Sequence, residues 1–195
     1  MQLRVSIAAL LLSPVVLFAY TADQALIDFD PQKTQVAFVL SDTLHTVRGH
    51  FRLKEGHVGF DPARGTMMGD LVVDAASGDS GSGPRDKRMT RDILQAQQFP
   101  EIRFTPAFET GPISLDGASD VRVTGMFSIH GQSHKIVAPM HIQISGQDVT
   151  VTGKFDVPYV EWGMKNPSNF LIKVNQYVEI DVTAVGHIRG GNPSL

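Results

Sequence analysis

Apolar residues recur at every second position along most of this chain. Val36, Phe38 and Leu40 share one parity, Val47, Phe51 and Leu53 another run, and Val58 and Phe60 continue it. Met67, Leu71 and Val73 precede an irregular stretch, after which Ile102, Phe104, Pro106 and Phe108 resume the alternation. Val121, Val123, Phe127 and Ile129 follow, then Ile136, Met140, Ile142 and Ile144, then Val149, Val151, Phe155 and Val157. Ile172, Val174, Val178, Ile180, Val182, Ala184 and Ile188 form what the pattern predicts as the longest segment. The residues between are mostly polar, which is the signature of half-buried antiparallel strands. Asp61-Pro62-Ala63-Arg64-Gly65, His130-Gly131-Gln132-Ser133 and Ser145-Gly146-Gln147-Asp148 carry hairpin chemistry. The pattern therefore predicts an all-β domain of about eight strands with no linker. One apolar face per strand suits a sandwich or a closed barrel. Closure removes exposed edges, and these strands carry few edge-protecting devices apart from Pro106 and Pro139, which mark places where pairing is interrupted.

The alternation pauses once. From Gly83 the spacing predicts a short helix, with Gly83 as cap, Pro84 at the first helical position and Phe99-Pro100 as its end. Met89, Ile93 and Ala96 fall on one stripe able to cover apolar surface. Arg85, Lys87, Arg88 and Arg91 stand with Asp86 and Asp92 on the polar side. Such a helix either plugs a barrel end or forms a lid with an arginine beside an anionic or carbonyl head group; Arg85 and Asp86 could equally pair locally. A second irregular stretch, Tyr159 to Phe170, holds Trp162 and reads as a loop over a barrel end.

Five glycines break the apolar parity of their strands: Gly49, Gly69, Gly125, Gly153 and Gly186. Two explanations stand side by side. Inward glycines let strands bend and coil, as barrels need. They also leave room, and a barrel of about eight strands is either just filled or holds one slender ligand. A tunnel here would be lined by aliphatic and phenylalanine side chains and would take a greasy ligand.

Composition narrows the function classes. The net charge of −3 argues against nucleic acid, which calls for a strong basic stripe. Without cysteine there is no disulfide, no thiolate chemistry and no lipidated N-terminus. Met1 to Arg4 followed by apolar Val5 to Tyr20 has the form of a signal peptide, too short and Pro14-interrupted for a spanning helix. The expected organisation is a signal peptide over residues 1–22, a barrel domain over 23–195, and a periplasmic location.

Candidate chemistry is thin. His130 and His134 flank a predicted turn, His45 and His50 bracket another short stretch, and no metalloprotease helix motif is present, so no metal site is expected. Ser128 and Ser133 lie near His130 and His134, but without a nucleophile elbow or a well-spaced acid. Asp70 and Asp74 share the polar face of their strand rather than converging. No catalytic residues and no cofactor are assigned.

Taken in order, "VAFVL" and "VRGHF", "GHVGFD", "LVVDAASGDSGSGPRD", "FPEIRF", "VTGMFSIHGQSHKI", "VTGKFDV" and "EWGM" make the chain resemble the YceI-like family of lipocalin-like, polyisoprenoid-binding periplasmic proteins. The resemblance covers about Leu26 to Ile188. It implies an extended eight-stranded antiparallel barrel with one inserted short helix, and a hydrophobic pore for an isoprenoid chain of the quinone or polyprenyl type. Arg85-Asp86 and Phe99-Pro100 match family landmarks around the helix, and Val47, Gly49, Phe51, Phe104, Gly125 and Phe127 match inward positions. The segment "RMTRDILQAQQFP" departs from the shorter, phenylalanine-rich one of many members, and the histidines around Gly131 are not general.

The pore and its mouth are accordingly expected to be lined by Phe38, Val47, Phe51, Leu71, Arg85 and Met89, together with Phe99, Phe104, Phe127, Met140, Phe155, Trp162, Val174 and Val178. The leading expectation is an exported carrier of an isoprenoid lipid, not an enzyme. One alternative is a hydrolase-like enzyme acting on a lipid head group through His130 or His134. The other is a ligand-free module that docks a membrane redox partner. A homodimer stays open.

Overall fold

A computed structural model of the chain describes residues 25–62 and 64–189. The signal-peptide expectation over residues 1–22 lies outside the described residues. Among those described, β1 (Ala25–Phe29) and β2 (Gln35–Ser41) run end to end along one edge of β10 (Val178–Arg189). The break between them is a turn in which the Asp30 carboxylate accepts from the Gln32 N–H and its carbonyl accepts from Lys33 and Thr34. Asp30 N–H and Thr34 Oγ1 bond back to Val185, so the edge of β10 stays satisfied across the interruption. β3 (Thr46–Phe51) and β4 (Leu53–Asp61) form a second broken strand with Arg52 at the joint; β3 pairs with β2 and β4 with β1. The remaining strands are β5 (Thr66–Asp74), β6 (Glu101–Thr110), β7 (Gly117–Ile129), β8 (Gln132–Ser145) and β9 (Asp148–Val157). With each broken pair acting as one strand, the sheet closes into an eight-stranded antiparallel barrel through the β1–β10 contact.

Alternation places the apolar parity of every strand inside, and the polar parity outside carries cross-strand pairs. Lys54, Glu101, Arg103 and Asp70 form a chain of contacts over β4, β5 and β6 at 2.7–2.9 Å. Asp28 faces His57 and Arg189 across both of its neighbours.

The two halves of the barrel differ. Around the end that carries the β4–β5, β6–β7 and β8–β9 hairpins, every neighbouring pair of strands is joined by backbone pairing, with one interruption in the β5–β6 ladder between Thr66–Phe108 and Leu71–Phe104. Around the other end there are two seams. β3 leaves the course of β4 and does not pair with β5; on that side its backbone is bridged to the β5–β6 segment at His50–Asp79. β8 and β9 pair from Met140–Gly153 down to Ser145–Asp148, so Gln132–Pro139 and Lys154–Val157 face each other without a ladder. The second seam begins beside Pro139, which still pairs with Arg122 of β7 but has no N–H for further pairing. Pro106 likewise marks a register shift in the β6–β7 ladder.

The first seam is filled by the segment between β5 and β6. A single 3-10 turn (Ala75–Ser77) leads to α1 (Gly83–Arg88), which continues as a π-turn over Met89–Ile93. The N-cap is Ser82 rather than Gly83, and the helical run stops at Ile93, not at Phe99. The π-turn accounts for the early stop. Its wider winding brings Leu94 as well as Met89 and Ile93 to the apolar side, and Ala96 is buried in the turn that follows. The predicted long last strand is also shorter than its alternation. Only Val178–Arg189 is strand, because β2 ends at Ser41 and leaves Val174 a lone bridge to Asp42.

Candidate functional site: a tunnel along the barrel axis

The barrel is hollow. A cavity of about 710 Å³ follows its axis, within the range of small-molecule pockets. On β10 the lining runs from Ile188 through Ala184, Val182 and Ile180 to Val178, a strand length of about 33 Å. The wall is almost wholly aliphatic and aromatic. Apart from Thr34 and Arg103, polar side chains gather at one end, where Asp42, Ser80, Ser82, Arg85, Arg88 and Asn169 surround the opening beside α1. At the opposite end Ile113 and Leu115, from the β6–β7 loop, join the lining.

The inward glycines act differently from simple vacancies. None of the five is among the lining residues. At Gly49 a methyl group would meet the Phe38 ring at 2.5 Å, and at Gly125 it would meet Phe104 at 2.7 Å. At Gly153 it would run into the Met140 sulfur, and at Gly186 it would lie 2.5 Å from the Asp28 carbonyl oxygen. A large side chain of the next strand thus covers three of the five glycines. Its bulk lies against the wall instead of projecting to the axis. Gly186 permits close approach of β1, and Gly69, at φ +105°, occupies backbone that favours glycine, beside the register shift between β5 and β6. The room in the bore comes from recessed neighbours rather than from missing side chains.

Ten of the expected wall residues line the cavity: Phe38, Val47, Phe51, Leu71, Phe104, Phe127, Met140, Phe155, Val174 and Val178. Arg85 and Met89 line it at the helix. Two expected residues do not. Phe99 covers Gly131 and packs on the His130 ring at 5.0 Å. Trp162 is buried in the β8–β9 seam, stacked on His134 at 4.0 Å with the planes within 3°. It reaches the bore only through Phe127, 5.9 Å away between centroids. Both aromatic residues sit in segments without strand periodicity, where parity cannot say which way a side chain points.

Other lining residues were not expected. Ile27 and Phe29 come from β1, whose five residues alternate as Ala25, Ile27 and Phe29 against Leu26 and Asp28. Tyr159 and Met164 come from the β9–β10 loop. Burial pushes the Tyr159 phenol up to about 12, and its Oη donates to the Asn175 carbonyl at 2.7 Å. That bond ties both ends of the loop together at the mouth.

At the opening, Arg85 and Asp86 do not pair directly. Both engage Ser80: Arg85 Nε donates to Ser80 Oγ and Nη2 to the Ser80 carbonyl, each at 2.7 Å, while the Ser80 N–H and Oγ–H donate to Asp86. Two of the five guanidinium donors are so used. Arg88 reaches the Pro167 carbonyl at 3.4 Å. The helix therefore places two arginines at the mouth on a local scaffold.

The histidines stand apart from this cavity. Neither His130 nor His134 lines it, and each packs on an aromatic ring. Ser128 bonds Ser133 at 2.7 Å rather than either histidine. Among the described residues no group of three or more histidine, aspartate or glutamate side chains is arranged to hold a metal ion.

The YceI-like domain profile matches residues 28–185, nearly the whole barrel. The chain belongs to the YceI-like family. UPF0312 proteins from three Vibrio cholerae strains are 27% identical over 149 residues, which is 75% of this chain and 75% of theirs. Among solved structures, Burkholderia cenocepacia BcnA superposes with a TM-score of 0.68 at 21% identity, covering 81% of this chain and 99% of its own. A polyisoprenoid binding domain from Saccharophagus degradans, implicated in plant cell wall breakdown, gives 0.60 at 17% identity, covering 84% and 98%. The Campylobacter jejuni YCEI protein gives 0.56 at 14%, covering 96% and 92%. At these identities the structural likenesses establish the shared YceI-like fold, and the chemistry of this bore rests on its own residues.

Proposed function

We propose that this YceI-like protein is an exported carrier that holds one isoprenoid lipid, of the quinone or polyprenyl type, in its bore. The observation that carries this is the tunnel itself: about 710 Å³, elongated, apolar along most of its wall and with its polar side chains gathered mainly at one end. A slender chain with a single polar terminus is complementary to that distribution. Apolar burial supplies about 25 cal/mol per Å², so every 100 Å² of chain surface taken from water contributes about 2.5 kcal/mol. The head group then lies near Arg85, Arg88, Ser82 and Asn169, whose donors suit carbonyl or phosphate oxygens. The polyisoprenoid binding domain of S. degradans supports the same ligand class through a shared fold. Export is supported by the charged and apolar N-terminal run.

The enzyme alternative loses its proposed base, since His130 and His134 lie behind Phe99 and Trp162 rather than in the tunnel.

The test is native mass spectrometry of full-length protein from a bacterial host, with solvent extraction of what co-purifies. A stoichiometric isoprenoid is expected. Val151 lines the cavity, and Val151→Trp is expected to lower uptake of a quinone or polyprenol at least tenfold while the far-ultraviolet spectrum stays unchanged. Repeated recovery of an empty barrel that takes up neither lipid would overturn the proposal.

A further inference from the structure

The mouth of the tunnel carries a surface that the carrier reading does not use. The β9–β10 loop turns sharply at Asn169, whose Oδ1 accepts from the Leu171 and Ile172 N–H groups while its own N–H donates to the Ile172 carbonyl. The tip of this turn is Phe170-Leu171, and the two side chains are 95% and 81% exposed. Their neighbours Asn169 and Ile172 line the cavity, so the tip projects from the rim. The β2–β3 hairpin is stitched to the same loop. Thr43 N–H donates to the Lys173 carbonyl, Asn175 N–H donates to the Ser41 carbonyl, and Asp42 bridges Val174. Leu44, at the tip of that hairpin, is 68% exposed. Three large apolar side chains therefore stand on one ledge beside the opening.

The charge around the ledge is ordered. Lys87, Arg88, Lys165 and Lys173 lie in the helix and loop of this end, and none of them has a carboxylate within ion-pair distance among the described residues. Of the carboxylates at this end, Asp74, Asp92, Glu101 and Glu179 are ion-paired with Arg52, Arg91, Lys54 and Lys154. Asp42 accepts from the N–H groups of Leu44 and His45, Asp79 from Gly81 and Asp86 from Ser80, while Asp156 and Glu161 remain on the surface. At the opposite end Asp28, Asp61, Glu109, Asp116, Asp120 and Asp148 outnumber Arg64, Arg122 and Arg189. One end thus carries apolar tips beside Lys87, Arg88, Lys165 and Lys173, which stand outside ion pairs among the described residues, and the other is acidic.

We infer that the Leu44, Phe170 and Leu171 ledge is a docking surface for an anionic phospholipid bilayer, which it enters only to interfacial depth. The inference deepens the carrier proposal and rests on it: an apolar cargo crosses less water if the mouth itself meets the membrane. Apolar tips flanked by lysine and arginine are the arrangement that combines shallow insertion with attraction to anionic head groups, each cation adding on the order of fivefold in affinity. The acidic far end is repelled by the same surface, so the charge distribution also fixes which end arrives first.

The experiment is co-sedimentation of the full chain with phosphatidylcholine vesicles, with and without phosphatidylglycerol, at low and high salt. Binding is expected only with phosphatidylglycerol and is expected to weaken in salt. The double variant Phe170→Asp with Leu171→Asp is expected to reduce binding at least tenfold, and Lys165→Glu with Lys173→Glu severalfold. Thermal melting is expected to match that of the unsubstituted protein, since these side chains are exposed. Quinone or polyprenol uptake from detergent is expected to stay unchanged in both variants. Equal binding to both vesicle types, or an aspartate variant that binds like the original, would overturn the docking surface. So would a dimer in sedimentation velocity that the aspartate variant dissociates without any vesicle binding, because the ledge would then belong to a second copy. A barrel that loads from detergent yet ignores anionic vesicles removes the docking and leaves the carrier. Vesicle binding by a barrel that never loads lipid removes the carrier and leaves the docking.

Discussion

The two halves of the barrel are closed by different forces. Around the acidic end the ring is held by backbone pairing between every two neighbouring strands, from β1 through β4 to β10 and back to β1, with the β5–β6 ladder skipping from Thr66 to Leu71. Around the mouth it is held by side chains. α1 and its π-turn fill the seam beside β3, and Trp162 with its loop fills the seam between β8 and β9. A ladder has no state between paired and unpaired, whereas a packed wedge can shift without unpaired N–H groups being exposed in the interior. This barrel thus gathers its packed, adjustable contacts at the end that carries the polar opening, while pairing at the far end keeps the diameter.

Removing a wedge should therefore cost more than its contacts suggest. Trp162→Ala is expected to destabilise the protein by about 4 kcal/mol, read from the urea midpoint by circular dichroism. Amide exchange should rise most in Gln132–Pro139 and Lys154–Val157, the two stretches that face each other without a ladder. A uniform rise across all strands would erase the distinction between the halves.

Gly186→Val tests the other half. The added side chain meets the Asp28 carbonyl and the Phe29 Cα, and backbone yields less readily than a flexible side chain. A loss of about 3 kcal/mol is expected, with faster exchange in β1 and β10 and little change at the seams.

Tyr159→Phe deletes the hydrogen bond to Asn175 and is expected to cost about 1 kcal/mol, measured by thermal melting. The same phenol gives a pH signature. Its folded value, about 12, lies above the unfolded value near 10, so the folded state holds the proton more tightly. Its contribution is complete below about pH 10 and is lost as pH rises from about 10 towards 12. Tyr159→Phe should flatten that part of the stability profile.

The smallest expected effect is at Asp42. Hydrogen bonds from the Leu44 and His45 N–H groups hold its carboxyl below the ordinary value. Its contribution is present above the unfolded value of about 3.9 and is lost as pH falls through the lower folded one. Protection of the Leu44 and His45 amides, relative to their intrinsic exchange rates, should fall in that acidic window and should already be lost in Asp42→Ala at neutral pH.

Much of this architecture was legible in the chain, because half-buried strands write their faces as alternation. Phe38, Phe104, Phe127 and Phe155 could be placed on the bore from parity alone. The illegible parts share a cause: they are set by partners distant in sequence. The glycines of β3, β7 and β9 have the expected parity but are not simple vacancies, since Phe38, Phe104 and Met140 from neighbouring strands occupy the space they leave. β1 escaped notice because five residues beside an apolar leader make a weak pattern. Phe99 and Trp162 were put in the bore because large aromatics in irregular segments carry no directional signal. The early end of the helix follows from a π-turn that no heptad-like spacing announces. The role of Ser80, which organises Arg85 and Asp86, depends on a tertiary turn and leaves no trace in local composition.

Trp162 is the single tryptophan of the chain, and it touches Phe127 on the side away from the bore. Its fluorescence therefore originates one aromatic layer behind the cargo. A benzoquinone-type ring in the tunnel accepts electrons and quenches such an indole at short range, whereas a polyprenol has no acceptor and leaves the emission bright. Under the carrier proposal the protein thus contains its own optical gauge, expected to tell a quinone from a polyprenol in a cuvette before any extraction is made.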